Sequence, residues 1–415
     1  MYPNLRFAVY DIFGLDFPFL GLVQSYGFLL ALSFLAGAWW LNIEFRRRES
    51  EGLMQGMKES YTVGKPITML DIFWNAVLGF VLGFKGVYAL MNSAEFSGTD
   101  AKANLFSWQH SNWITGVLLL VGFVVWKYWE KAQERKLYPE EKQLVRTVYP
   151  HQRIGDIIML SAISGVFGSK LFYLLEEQPA DWVGALFSGS GLTIYGGLIT
   201  AFLVVSYYLK VKKMSYSNVL DTAAPGLILA YGVGRLGCHF SGDGDWGDAN
   251  TVPKPFGWLP DWLWSYSYPN NVISEGLPLA DCGGYPFAGE YNYCMQLVPS
   301  VYPTPVWEFI MGFIIFLILA SLRRWAKQGG LLFSIYLIFN GAERFTIEII
   351  RVNGEYNIFG LMLTQAQVIA SILFVIGVVL SIYFYYKQSR PDFKQVIYDV
   401  HNEDAKKENS PLLDK

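Results

Sequence analysis

The stretch Gly232-Val-Gly-Arg235-Leu-Gly-Cys238-His239-Phe-Ser241-Gly-Asp243-Gly-Asp245-Trp246-Gly247 joins an arginine to a glycine-rich turn. A guanidinium offers a planar fork of donors, and a turn with few side chains exposes backbone N–H groups, so the pair suits a phosphate. Gly234, Gly237, Ser241, Asp243 and Gly247 are the candidate contacts around Arg235. The competing reading is a structural ion pair of Arg235 with Asp243 or Asp245. His239 reads as a hydrogen-bonded interface residue rather than a base.

Asn340, Arg344, Glu348 and Arg351 fall at i, i+4, i+8 and i+11, with Glu343 just beside them. That spacing predicts one polar face along a helix. In lipid such a face must meet other helices or a water-filled cavity, either as a substrate-facing stripe or as a salt-bridge ladder. Thr193-Ile-Tyr195-Gly196-Gly197-Leu198 opens another helix with paired glycines, which admit a lipid head group or a packed neighbour. Tyr302-Pro-Thr-Pro-Val-Trp307-Glu308 places prolines at a helix start. Glu308 is expected in its first turn, as a dipole partner or a site carboxylate. With four histidines and three cysteines, neither a multi-ligand metal centre nor a disulfide scaffold is expected.

The elements that must hold these residues are membrane helices. Charged residues are only 16% of the 415, against about 25% in soluble domains. Apolar runs of spanning length recur. Nine spans are predicted, at about 20–43, 69–92, 111–130, 154–176, 190–209, 218–240, 304–322, 330–350 and 363–386: an all-α polytopic membrane helix bundle. The loops on one side collect 24 Lys and Arg and those on the other only Arg6, Lys102, Lys254 and Arg351. This asymmetry predicts an outer N-terminus and a cytoplasmic C-terminus. A net charge of −3 without a basic field excludes a nucleic-acid partner.

Residues 1–390 are read as one transmembrane domain and 391–415 as a polar cytoplasmic tail. Thr62–Leu90 repeats in Thr147–Leu175 at a constant offset, pairing Asp71 with Asp156, Gly83 with Gly168, Lys85 with Lys170 and Tyr88 with Tyr173. The first copy marks 62–146 as an extra, duplicated hairpin. Residues 241–303, rich in Trp, Tyr, Pro and Gly, read as an ordered outer cap. Cys282 and Cys294 lie in it, as a disulfide or as two thiols.

In order along the chain, the GxGRxG turn, the preceding YGGL, the P-[ST]-x-x-[YW]-E helix start, the Glu343-Arg344-Phe…Glu348…Arg351 helix and Leu363-Thr-Gln-Ala-Gln367 resemble the prolipoprotein diacylglyceryl transferases of bacteria. Tyr26-Gly27 is similar to that family's first-helix pair. The resemblance covers about 18–45, 154–247 and 302–372. It implies a multi-pass inner-membrane enzyme with its site open to the periplasm. The enzyme would transfer diacylglycerol from phosphatidylglycerol to the lipobox cysteine of a preprolipoprotein, without a cofactor. Carried over by position, Arg235 and Arg344 are the essential arginines and Tyr195 the third catalytic candidate. Tyr26, Lys170, Gly196, Gly197, Gly247, Glu308, Glu343, Glu348, Arg351 and Gln367 would support them. The family's His-Gly-Gly-Leu is Tyr195-Gly-Gly-Leu here, its His-Pro-Ser is Tyr302-Pro-Thr, and Cys238 replaces an Asn. These departures leave open a paralogous transferase with another acceptor, or a protein that binds or translocates phospholipid without chemistry.

Overall fold

The computed structural model describes residues 1–92, 107–179, 181–187, 191, 193–351, 353–358 and 360–389. Lys102 and the tail 391–415 lie outside the described residues. Among those described there are nine long helices: α1 (Ser25–Ser50), α2 (Met69–Met91), α3 (Trp113–Leu137), α4 (Ile154–Glu177), α5 (Ile194–Val211), α6 (Tyr216–Ser241), α7 (Thr304–Leu322), α8 (Leu331–Glu348) and α9 (Gln365–Ser389). Each coincides with one predicted span. Seven are long and apolar enough to cross a membrane, making this a polytopic helical membrane protein. The other two, α6 and α8, fall short because Asp221, Arg235 and His239, and Asn340, Glu343, Arg344 and Glu348, interrupt their apolar sequence. The first span also begins later than predicted, because Pro18–Leu22 forms a separate 3₁₀ turn.

The all-α expectation needs one amendment. Three two-stranded antiparallel ribbons join the described helices, the longest pairing β1 (Met57–Val63) with β2 (Lys142–Val148). These short segments lie between helices, and pairing them in a ladder satisfies their backbone groups.

The chain divides into two compact units. One comprises Met1–Ser25, Met57–Val148 and Pro269–Gln296. In it α2 starts with a capping box, Thr68 Oγ1 accepting from Asp71 N at 3.1 Å while Asp71 accepts from Thr68 N at 3.0 Å. Helix α2 packs along α3, with Gly79 against Leu119 and Gly83 against Thr115. A π-helical turn, Leu82–Val87, carries Lys85, whose ammonium donates to the carbonyls of Ser107 and His110. A second part of this unit is built on Phe7, which is fully buried among Tyr285, Phe287, Tyr291 and Tyr293. Arg6 pairs with Asp16 at 2.6 Å and Glu290 at 2.8 Å, which holds the Asp16 carboxyl below the usual range. Cys282 and Cys294 form a disulfide.

The other unit comprises Tyr26–Gly56, Tyr149–Tyr268 and Leu297–Lys415. Of the segment 241–303, residues 241–268 and 297–303 belong to this unit and 269–296 to the first. Helix α6 is central here, its Ile228 and Leu229 meeting Trp40 of α1, Ile315 and Leu319 of α7 and Leu331 of α8. On its other side Val219 joins Leu41, Phe45, Ile154, Ile157 and Leu209. Lipid is as apolar as these side chains, so close packing and hydrogen bonds must hold such helices together. Accordingly Gly341 of α8 lies against the Ala370 carbonyl and Gly377 of α9 against the Ser334 carbonyl, contacts that leave no room for a Cβ.

Candidate active site

Four segments bring the chemistry together at one end of this second unit. Helix α6 supplies Arg235 in its last two turns and stops at Gly242, which takes a left-handed φ of 64°. The chain then runs as an extended segment whose Gly247 N donates to Tyr302 O at 2.9 Å, while Asp248 N donates to Ile350 O at 2.9 Å. A Cβ on Gly247 would stand 2.6 Å from the Ile350 carbonyl, so glycine alone lets this strand pass between the start of α7 and the end of α8. That passage delivers Asp245 to two arginines. Its Oδ2 accepts from Arg235 Nη1 and its Oδ1 from Arg351 Nη2, and Thr304 Oγ1 fixes its carbonyl at 2.9 Å. Burial pushes the Asp245 carboxyl up, but Arg235 and Arg351 outweigh it and hold it at about 2.

Glu308 is the hub. Its side chain is wholly buried, and a single oxygen, Oε1, accepts from Arg235 Nη2 at 2.6 Å and Tyr231 OH at 2.9 Å. Arg344 Nη1 and Arg351 Nη1 each lie 3.6 Å from the same oxygen. The helix starts at Thr304, as predicted, which makes Glu308 its fifth residue, just beyond the first turn in which it was expected. Arg344 also pairs with Glu348 at 2.8 Å, and Glu348 accepts from Asn353 Nδ2 at 2.7 Å and Thr364 Oγ1 at 2.9 Å. Glu343 lies 3.1 Å from the Tyr231 hydroxyl. Three guanidiniums thus face Asp245, Glu308 and Glu348 in near balance.

The ion-pair readings of Arg235 and of the α8 stripe are the ones seen here, with Arg235 held by Asp245 and Glu308 and Arg344 by Glu348. Arg344 is 27% exposed, against 11% for Arg235 and Arg351, so it is the arginine open to an incoming anion. The Tyr195 phenol lies in the field of Arg344 and Glu348. The polar face is not one continuous helix, however. Helix α8 ends at Glu348, and Arg351 reaches the cluster by bridging to Gly247.

The remaining sequence candidates occupy three kinds of position. Gly234 has open space where a Cβ would be, one residue before Arg235, and the Tyr26 phenol, partly exposed, lies in the field of Arg235, Cys238, Asp243 and Asp245. Gly237 packs on the Tyr26 backbone, Ser241 Oγ donates to Gly237 O within its own helix, and Asp243 Oδ1 accepts from Asp245 N at 3.2 Å. Burial and the Asp245 charge push the Asp243 carboxyl up. Gly196 and Gly197 are buried against α4, at Gly165, Gly168, Ser169 and Phe172, so their small size serves helix packing rather than a head group. Lys170 Nζ donates to Gly191 O at 3.4 Å and lies 5.3 Å from the Tyr173 ring, at the entry to α5. Gln367 closes a capping box on α9, its Oε1 accepting from Thr364 N at 3.0 Å; Thr364 in turn holds Glu348. His239 Nδ1 faces Tyr268 OH at 3.1 Å among Tyr266 and Tyr268, as an interface residue.

Tyr231, Thr364 and Asn353 as donors, and Asp245 as a bridge from Arg235 on to Arg351, were not expected from the sequence, which offered Asp245 only as one of two ion-pair partners for Arg235. Tyr231 stands four residues before Arg235, a spacing that places both on one helix face, and this signal was available. The others depend on chain segments meeting across long separations. Cys238, Asp243 and Asp245 bring potential ligand atoms within 4.8 Å of one another, but both Asp245 oxygens are committed to arginines.

A family model described as prolipoprotein diacylglyceryl transferase matches residues 112–383. The match begins at α3, and so leaves out α1 with Tyr26. The chain is 28% identical over 269 residues to the phosphatidylglycerol–prolipoprotein diacylglyceryl transferase of Leptospira interrogans, covering 57% of this chain and 70% of the relative. It is 30% identical over 245 residues to the enzyme of that name from Dehalococcoides mccartyi, covering 57% and 80%. With the one from Clostridium botulinum the identity is 29% over 235 residues, covering 56% and 78%. The matched stretch holds Arg235, Glu308, Arg344, Glu348 and Arg351 together with the segments that make them converge, and on that ground the chain belongs to the prolipoprotein diacylglyceryl transferase family.

Proposed function

We propose that this protein transfers the diacylglyceryl group of phosphatidylglycerol to the lipobox cysteine of preprolipoproteins, the first step of bacterial lipoprotein maturation. The observation that carries the reading is the convergence of Arg235, Arg344 and Arg351 on Glu308 at one end of the helical unit. The reaction forms a bond from sulfur to the glycerol carbon that carries the phosphate and breaks that carbon's C–O bond. Glycerol phosphate leaves, and the thiol proton goes to solvent or to the leaving phosphate. The enzyme must therefore receive growing charge on a phosphate oxygen, and preorganised donors in a low-dielectric site do this well.

Arg344 is assigned the contact with the phosphate, its fork held by Glu348 on one side and Glu308 on the other. Arg235 and Arg351 are assigned a positioning role, because Asp245 and Glu308 already occupy them. Tyr195 orients a lipid oxygen together with Arg344. A phenol with a reference pKa of about 10 is a poor base at neutral pH, so the arginine field, rather than a base, favours the substrate thiolate.

The loop charges support nine spans, a cytoplasmic C-terminus and a site facing the periplasm of a bacterial inner membrane. We read α2 and α3 as an added copy of the α4–α5 hairpin. Its support is that Gly83 meets Thr115 as Gly168 meets Thr200, and that Lys85 and Lys170 both bond carbonyls of the loop that follows. The test of the function is direct: purified protein in phosphatidylglycerol micelles should raise the mass of a lipobox peptide by one diacylglyceryl group and release glycerol phosphate. Lipid binding with no mass gain would instead favour a binding or translocating role.

A further inference from the structure

The far end of the same unit holds a second cationic site. By helix rise, Asp221 lies about 21 Å before Arg235 along α6, and Arg323 about 22 Å beyond Glu308 along α7. There a cavity of ≈ 290 Å³ is lined by Arg47, Arg48, Glu51, Arg323, Arg324 and Lys327, with Leu53 and Ala326 as its apolar floor. The last turn of α1 supplies the first two arginines and the α7–α8 connection the other cations.

Most of this charge is locally bound, but not all. Glu44, wholly buried, accepts from Arg47 and from Arg48 Nε at 3.1 Å and lies 3.6 Å from Arg323. Glu51 takes a further Arg47 donor at 2.6 Å. Arg48 is 1% exposed, 3.8 Å from Asp221, and its Nη2 has no hydrogen-bond acceptor. Among the described residues Arg324 and Lys327 form no ion pair. Five cations therefore face Glu44, Glu51 and Asp221, an excess of two positive charges. Beside the cavity the exposed rings of Trp325 and Tyr385 stack at 6.0 Å, the amphipathic kind of pair that settles at lipid head-group level.

We propose that this cavity binds the phosphate of an anionic lipid head group. The two excess charges match one phosphate. Arg324 and Lys327 line the cavity with no carboxylate paired to them among the described residues, and the aromatic pair sets the depth at which a lipid presents that phosphate. The site is separate from the transfer chemistry and stands whether or not the proposed function holds.

The test uses the whole protein in neutral detergent, titrated with short-chain phosphatidic acid, which carries no glycerol head group to transfer. Retained lipid is counted by native mass spectrometry, with phosphatidylcholine as the zwitterionic control. Phosphatidic acid should be retained in preference to phosphatidylcholine, and Arg344→Ala, which alters the other cluster, should keep this binding. The double variant Arg324→Ala/Lys327→Ala, at exposed positions, should weaken it roughly thirtyfold, as expected for two cations near a membrane surface. Unchanged affinity in the double variant, or loss in Arg344→Ala alone, would overturn the assignment. Displacement of the lipid by an equal concentration of inorganic phosphate would make the site one for the free ion.

Discussion

Arg344→Ala and Arg235→Ala should fail in different ways, and the difference follows from what each guanidinium leaves behind. Removing Arg344 deprives Glu348 of one partner, yet Asn353 and Thr364 still donate to that carboxylate at 2.7 and 2.9 Å. The loss of stability should be about 1 kcal/mol, that of one partly exposed pair. The arginine open to the phosphate is nevertheless gone, and losing one preorganised donor costs roughly 10²–10³ in rate. Removing Arg235 instead takes a partner from Asp245 and from the fully buried Glu308 together. Breaking a buried pair in this way costs about 3–5 kcal/mol. Arg351 stays on Asp245 and Tyr231 on Glu308, which places the loss near the lower end, about 3 kcal/mol. The chain itself supplies the stability probe. Of its three cysteines two form the disulfide, and Cys238, the remaining thiol, is buried on α6 three residues after Arg235. A thiol-reactive dye therefore reports opening of the site helix during a thermal ramp, alongside peptide modification read by mass. The expected pattern is near-native melting with little transfer for Arg344→Ala, and early melting for Arg235→Ala. Equal melting of the two variants, or an Arg344→Ala enzyme with native turnover, would refute the division between the phosphate contact and the positioning arginine.

Tyr195→Phe should lower transfer without shifting the melting curve, Tyr195→His should retain part of it, and the rate should rise with pH toward the substrate thiol's pKa; a full-rate Phe variant would remove Tyr195 from the mechanism. Asp245, with its folded pKa depressed to about 2, contributes stability that is complete above its unfolded value of 3.8 and is lost as the pH falls toward 2. Acid melting followed through Cys238 should show this loss in the native protein and a smaller one in Asp245→Asn. Thr364→Ala removes the α9 cap and a Glu348 donor, so it should cost about 1–2 kcal/mol and weaken lipid binding, measured as melting and as KM for phosphatidylglycerol. A reporter fused to the C-terminus should be active only in the cytoplasm, and periplasmic activity would overturn the nine-span topology.

The sequence alone determined the helices and most of the residues that meet. Apolar runs of spanning length depend on local composition, so nine segments could be read directly, and an arginine within such a run is costly enough to single out Arg235 and Arg344. The order of the motifs also carried the family. What it left undecided were the contacts between segments far apart in the chain. Cys282 and Cys294 could be paired or free, and Asp243 and Asp245 were equal candidates, until the passage of Gly247 between Tyr302 and Ile350 delivered Asp245 to Arg235 and Arg351. Gly196 and Gly197 signalled close approach without saying to what, because a small residue admits a lipid and a neighbouring helix equally; only the packing of α5 on α4 decided it. The convergence of three arginines on one oxygen of Glu308 is likewise a tertiary fact. Spacing along a helix sets which side chains share a face, but which faces meet depends on how every helix packs.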